Sequence, residues 1–455
     1  MNHSIRDSFS GRFGVFIAVV GSAVGLGNIW RFPYMVGEHG GGAFIIVYFA
    51  FVLMIGFTAM LSEFVIGRRG QGNSYRSFKQ LSPKQPWYLV GLMGILAAFV
   101  IIMFYSTISG WVLEYVVLAV KDIFSSSAAT RDPAQVFEHF HTHAVRPVVW
   151  QVVIMLMTAA IILFGVRNGI EKSAKILMPL LLVLMIILAV NSLMLPGASE
   201  GLRFLFHVDF SKIDGNVLLS ALGQAVFSQS VGMGVMITYG SYIKKCNNLA
   251  QTAFYVSITN MLVAILAGII IFPAVFSFGM DSAQGPGLVF VIFPAIFQQM
   301  TGGVLFALLF FVLVAIAALT SLVSLLEVVV AYCVEEFKMK RSVATAATTI
   351  LGCVLGAFAT LSFGPLSHIA PFQSFGVDMS IFDVSDFLAS NILLPLGAFF
   401  VFVFLGWFYD IEQTKDEVSN QGALKVRLFP VFVFIIRYVA PLAILLVFLR
   451  GVGLI

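Results

Sequence analysis

Apolar residues in this 455-residue chain neither alternate nor recur at a helical spacing; they run on in long stretches separated by short polar clusters. An α-helix needs about 20 such residues to cross a hydrocarbon core of roughly 30 Å. The pattern predicts eleven membrane-crossing helices, near 12–36, 41–66, 87–121, 148–164, 173–195, 217–244, 251–278, 303–335, 343–362, 379–409 and 429–450. A membrane barrel would show short alternating segments instead, so the expected fold class is all-α. The stretch 287–300 is apolar but too short and too proline-broken to cross, and reads as a pair of short helices folded back as an outer lid.

Two of the eleven runs are not smooth. The first carries GSAVGLGNIWRFP at 21–33, with three glycines, an amide, a cation and a proline inside an apolar helix. A spanning segment must satisfy its own backbone polar groups, so such a break is tolerated only where the freed groups face protein, water or a ligand. The sixth run repeats the device: Val24-Gly25-Leu26-Gly27 is echoed by Val231-Gly232-Met233-Gly234. Glycine pairs also serve close helix packing, but interrupted helices at matching places in two five-span halves point to a transporter site between inverted repeats. The chain then reads as one transmembrane domain, 1–455, with a first five-helix repeat at 12–195, a second, inverted one at 217–409, and an additional helix at 429–450.

Polar side chains inside the runs supply candidate chemistry. Freed carbonyls at 21–27 suit a small cation, and freed amides at the start of the next half-helix suit a carboxylate. Gln224, Ser228 and Ser230 flank the second break, Asn260 stands in the seventh run, and Thr320-Ser321 in the eighth. A buried hydroxyl taken singly usually bonds its own helix; oxygens converging from four spans form a site for hard monovalent cations.

Composition closes off other classes. With 60% hydrophobic and 11% charged residues and a mean hydropathy of +0.99, the chain cannot be a soluble globule. Most of its 26 Lys and Arg residues, among them Arg68, Arg69, Lys172, Lys244 and Lys340, fall in alternate loops, which places the N-terminus in the cytoplasm and the C-terminus outside. Short loops, and one Asn-x-Ser triplet on the cytoplasmic side at Asn2, fit a bacterial inner membrane. No cleavable signal peptide, nucleic-acid partner or obligate protein partner is expected. Cys246, Cys333 and Cys353 are scattered and lack metal-type spacing. His139, His141 and His143 alternate, but without further ligands they read as a solvated loop. The Phe-rich run 399–404 reads as packing or lipid-facing surface. No nucleophile–base pair supports an enzyme, and sparse polar groups gathered near one depth do not make a channel.

GSAVGLGNIWRFP, followed by Glu38-His39-Gly40-Gly41-Gly42-Ala43-Phe44, resembles the first-span signature of the neurotransmitter:sodium symporters, and the similarity continues through the later spans. The resemblance implies a leucine-transporter-type fold of two inverted five-helix repeats with discontinuous helices 1 and 6. It further implies a sodium-coupled symporter working by alternating access, with two Na+ per substrate; a proton-coupled carrier of the same fold is the alternative. One sodium would be held by Ala23, Asn28, Ser228, Asn260 and the substrate carboxylate, the other by Gly21, Val24, Ala317, Thr320 and Ser321. The carboxylate would meet Leu26, Gly27 and Tyr105, and the ammonium Ala23, Phe227, Ser228 and Ser230. Relatives that carry amines have an aspartate where Gly25 stands, so an amino acid is implied. Ile101, Tyr105, Phe227, Met233, Ser321 and Leu325 would form an uncharged side-chain pocket, with Met233 adapting to size, suited to hydrophobic and aromatic L-amino acids.

The same resemblance assigns gates: Arg31 with Asp386 outside, and Arg6 with Glu335 inside, the latter sealed by Phe9 and Tyr242. Gly169 and Pro179 match a pattern in which the start of span 5 unwinds to admit water. Relatives that ignore chloride supply a carboxylate in span 7, whereas this chain has Asn260 and Ala264. Tyr48, Gln224, Ser228 and Asn260 are therefore expected to surround a chloride, although the serine usual near Ala264 is missing. Glu63 and Glu327 are buried acids that could take its place.

Overall fold

The computed structural model describes residues 8–124, 131–280, 288–369, 372–374 and 377–454. Among the described residues nine helices are long and apolar enough to cross a membrane: Gly42–Gly70, Tyr88–Ile123, Arg146–Leu163, Val166–Leu193, Leu249–Ser277, Gly303–Glu336, Arg341–Leu361, Ile381–Phe408 and Phe429–Gly451. These correspond to expected spans 2 to 5 and 7 to 11. A tenth crossing is a bent pair, Arg12–Ala23 with Gly27–Glu38, whose halves meet at 54°. The expected sixth span is divided into Gly215–Ser228 and Val235–Gly240, each too short to cross alone, so helix length by itself does not give a count of eleven.

Both breaks sit where the sequence placed them. In the first, Val24 leaves helical geometry, and the chain resumes at Gly27. In the second, Ser230, Gly232 and Gly234 have φ of +53°, +85° and +71°. Gly232 is required there, because a Cβ would run into the Leu394 carbonyl oxygen of span 10. Its freed N–H donates to Glu63 Oε1 at 2.7 Å, so a buried acid of span 2 satisfies the exposed backbone of span 6.

The remaining spans frame the breaks. Spans 3 and 8 pack along each other through the centre. Span 3 is held to spans 4 and 9 by a polar chain: Gln151 Nε2 donates to Ser106 Oγ (3.1 Å), Thr360 Oγ1 donates to Gln151 Oε1 (2.9 Å), and Thr107 and Thr360 hydroxyls lie 2.8 Å apart. Such fully satisfied networks in lipid fix helix register. Span 5 begins earlier than expected, at Val166, and is wound through Gly169 and past Pro179; a Cβ at Gly169 would meet the Ile161 carbonyl of span 4. The unwinding inferred from Gly169 and Pro179 is thus absent from this conformation.

The loops carry more structure than the hydrophobic pattern disclosed. Short helices occupy Ser74–Leu81, Pro133–His141, Ala198–Phe206 and Ile411–Val418, and in place of the expected pair of folded-back helices there is one short helix, Val289–Gln299. A two-stranded hairpin, Phe372–Ser374 with Val377–Met379, precedes span 10. The histidine loop is a helix end: His139 and His143 are exposed, while His141 stacks on Phe137 with centroids 4.5 Å apart. In the run 399–404, Phe402 and Phe404 are buried and Phe400 is exposed, so it serves both packing and the outer surface. Near the C-terminal end of span 2 Arg68, 1% exposed, bonds the Glu417 side chain and carbonyl, the Asn247 carbonyl (2.7 Å) and Asn420 Oδ1 (3.0 Å). That one guanidinium ties span 2 to the loops after spans 6 and 10.

Candidate functional site

The two breaks face each other across a cavity lined by Ser22, Ala23, Gly25 and Gly27 from the first, Phe227, Ser228, Ser230, Met233 and Val235 from the second, Ile101 and Tyr105 from span 3, and Ser321 and Leu325 from span 8. Ten of the eleven expected substrate residues are on this wall. Leu26, the eleventh, stands behind it with its N–H donating to Tyr105 Oη at 3.2 Å. Sequence reasoning missed Ser22 and Val235, and treated Gly25 only as the place where an acid is lacking. A Cβ on Gly25 would strike Ser321 Oγ and come within 3.2 Å of Tyr105 Oη, so the glycine keeps this wall clear. No ionised side chain lines the cavity. A guest must therefore carry no unbalanced charge, or must balance it with backbone and hydroxyl groups.

Beside the cavity lies a dry cluster of amides. Asn28 and Asn260 are both wholly buried; Asn28 Nδ2 donates to Asn260 Oδ1, and Asn260 Nδ2 donates to the Ser228 carbonyl at 3.1 Å. These bonds orient both amides and leave Asn28 Oδ1 buried without a partner. An orphaned acceptor in a dry site costs about 1–3 kcal/mol, and a cation relieves it. Ala23, Asn28, Ser228 and Asn260 thus fit a monovalent cation. Gly21 and Thr320 line a second, smaller cavity with Ser173, Tyr239 and Ser324. Thr320 Oγ1 donates to the Ile316 and Ala317 carbonyls at 3.1 Å each, which leaves its lone pairs free for a cation. Val24 and Ala317 are buried; Ser321, expected to serve both sites, is on the wall of the larger cavity.

The expected chloride set also gathers, with part of its donor capacity in use and a second N–H left on each amide. Tyr48 Oη and Ser228 Oγ are 3.0 Å apart, Ser228 Oγ donates to Ala225 O, and Gln224 Nε2 donates to the Gly27 carbonyl at 3.0 Å. The unpartnered atoms here, Gln224 Oε1 and Asn28 Oδ1, are acceptors that repel an anion. Glu63 and Glu327 are engaged elsewhere: Glu63 holds Gly232, and Glu327 accepts from Arg341 (2.5 Å) and Tyr242 Oη (2.8 Å).

On the outer side the Arg31 guanidinium lies 4.4 Å over the Phe227 ring. Among the described residues no contact of 4 Å or less pairs it with Asp386, which accepts from Ser390 Oγ at 2.8 Å one turn along its own helix and acts on the guanidinium through its charge at longer range. Arg31 therefore opens onto an outer cavity shared with Gln224, Ser390 and Arg450. On the inner side Arg6 lies outside the described residues. Glu335 accepts from Asn73 N and Nδ2 at 2.9 and 3.1 Å. Phe9 is buried edge-on against Tyr239 and Tyr242, and its N–H donates to the Tyr242 carbonyl at 3.2 Å. Next to it Ser10 N and Oγ both bond Glu171 at the start of span 5, an attachment the sequence did not reveal.

The Sodium:neurotransmitter symporter family model matches residues 6–142 and 139–454. The chain is 36% identical over 98% of its length to the uncharacterized sodium-dependent transporter YhdH of Bacillus subtilis, covering 98% of that protein. It is 35% identical to an uncharacterized sodium-dependent transporter of Haemophilus influenzae, with 99% of each chain covered. The bovine sodium-dependent dopamine transporter is 25% identical, over 93% of this chain and 66% of the transporter. Among solved structures, MhsT in complex with L-phenylalanine superposes with a TM-score of 0.89 at 42% identity, covering 98% of this chain and all of that one.

Proposed function

Because this chain belongs to the sodium:neurotransmitter symporter family, a family of multi-pass secondary transporters and not of enzymes, we propose that it carries hydrophobic and aromatic L-amino acids inward with two Na+ each. The observation that carries the reading is the uncharged cavity between two broken helices with an unpartnered, wholly buried Asn28 oxygen at its side. The similar MhsT structure holds L-phenylalanine, which supports the substrate class.

In this reading span 6 counts as one broken crossing, giving eleven spans, with the N-terminus cytoplasmic and the C-terminus outside a bacterial inner membrane. The substrate carboxylate approaches the Leu26 and Gly27 amides and Tyr105 and completes the shell of the sodium held by Ala23, Asn28, Ser228 and Asn260. Ion and substrate thereby lower each other's cost of burial. The second sodium, on Gly21, Val24, Ala317, Thr320 and Ser321, ties span 1 to span 8. Phe227 and Arg31 close the outer side, and Phe9 with Tyr242 the inner. Two inward charges contribute about 4–5 kcal/mol per 100 mV before any concentration gradient is counted. Chloride is left out of the reading, since one N–H of each amide at its expected site and the Ser228 hydroxyl are engaged and the unpartnered atoms there are acceptors.

The test is uptake of labelled L-Phe, L-Trp and L-Leu into proteoliposomes with an inward sodium gradient, a proton gradient, or neither. Accumulation driven by sodium alone is expected. Accumulation driven by protons without sodium, or transport of Lys and Glu in preference to the apolar amino acids, would overturn it.

A further inference from the structure

Among the residues that line the central cavity, Ser22 is the one whose buried hydroxyl has no hydrogen-bond partner among the described residues. A serine or threonine inside an apolar helix has a local outlet, the carbonyl one turn back. Thr58, Ser62, Ser109, Thr158, Thr238, Thr320 and Ser324 all use it. The Ser22 hydroxyl does not: it is buried, at 4% exposure, has no hydrogen-bond partner, and belongs to a residue on the wall of the central cavity. Its backbone carbonyl is engaged, accepting from Ser230 Oγ at 3.1 Å, which brings the two serines together from opposite breaks.

We infer that the Ser22 hydroxyl is a direct acceptor for the α-ammonium of the substrate and makes the site selective for primary over N-alkylated amino acids. This rests on the amino-acid reading above. An ammonium has three N–H donors and enters a cavity with no carboxylate, so oxygens must receive all three. Ser230 Oγ gives its proton to the Ser22 carbonyl and so presents lone pairs only; Ser22 Oγ, on the facing element, presents a second uncommitted oxygen. A hydroxyl left empty in a dry cavity is costly, and a charge-assisted bond to it is among the stronger neutral-to-ion contacts. Replacing one ammonium hydrogen by a methyl group removes a donor and places carbon against these oxygens.

The experiment compares wild type, Ser22→Ala and Ser22→Thr in proteoliposomes, measuring KM and kcat for L-phenylalanine and inhibition by N-methyl-L-phenylalanine. For Ser22→Ala the KM is expected to rise about tenfold with kcat little changed. Inhibition by the N-methyl compound, weak in wild type, stays as it was, so discrimination narrows; Ser22→Thr restores it. If Ser22→Ala fails to reach the membrane, Ser22→Cys, similar in shape and poor at hydrogen bonding, carries the same comparison. An unchanged KM, or an equal loss for both compounds, overturns the assignment. Wild type without sodium-driven amino-acid uptake would instead overturn the reading on which it rests.

Discussion

The side chains of Asn28 and Asn260, 232 positions apart in sequence, are bonded amide to amide, and Asn260 passes the contact on to the Ser228 carbonyl at 3.1 Å. Three elements thus meet in one chain of amides whose free valence is an oxygen. Asn260→Ala removes both a candidate ligand and the group that orients Asn28. It is expected to raise the sodium concentration for half-maximal uptake by about tenfold or more, the cost of one lost charge-assisted bond. Uptake of L-Phe against NaCl at constant ionic strength measures it, and Asn28→Ala should behave alike.

Gly25 lines the cavity where Ser321 and Tyr105 approach the first break. Adding a methyl there brings it onto Ser321 Oγ and against Tyr105 Oη, so Gly25→Ala is expected to cut affinity for L-Trp and L-Phe far more than for glycine or alanine. Thermal stability should stay close to wild type. Competition against labelled L-Leu gives the order, and the double variant with Ser321→Ala should recover part of the loss.

The N-terminal segment is strapped to span 5 by Ser10 and Glu171, and Lys175 completes the cluster at 2.6 Å from Glu171. Glu171→Ala releases the strap beside the Phe9 seal. A single cysteine at Ser173, which lines the small cavity with Gly21 and Thr320, is expected to react several-fold faster with a thiol reagent applied from the inner side. Equal labelling rates would show that Phe9 alone holds that side shut.

Replacing chloride by gluconate on both sides of the vesicle membrane is expected to leave the rate and sodium dependence of uptake unchanged. Gln224 Nε2 and Asn260 Nδ2, the amide donors of the expected anion site, already serve the Gly27 and Ser228 carbonyls. A several-fold fall in rate on replacement would show that these bonds rearrange around an anion.

The broken helices were legible because polar residues in an apolar run have to be explained by something local: GSAVGLGNIWRFP and the Val231–Gly234 echo are anomalies in sequence alone. Ser228, Ser230, Asn260, Thr320 and Ser321 were legible in the same way, as polar groups in apolar runs, whereas the roles of Ala23 and Asn28 came from the resemblance, which gave none to Ser22. Its importance lies in a hydrogen bond it does not make, which no pattern records. The expected Arg31–Asp386 pair is not closed in this conformation, in which Ser390, one turn on, donates to the acid. Glu171 had no role in the sequence, and its partner Ser10 lies 161 positions earlier. Long-range pairing of this kind is set by how helices stack, and helix periodicity carries no trace of it.

Arg68 has a consequence for how the protein comes into being. Its guanidinium is satisfied by Glu417, which leaves the ribosome 349 residues later, and by Asn247 and Asn420, also downstream. A product truncated before the Ile411–Val418 helix lacks Glu417 and Asn420, and of these partners leaves the guanidinium only the Asn247 carbonyl.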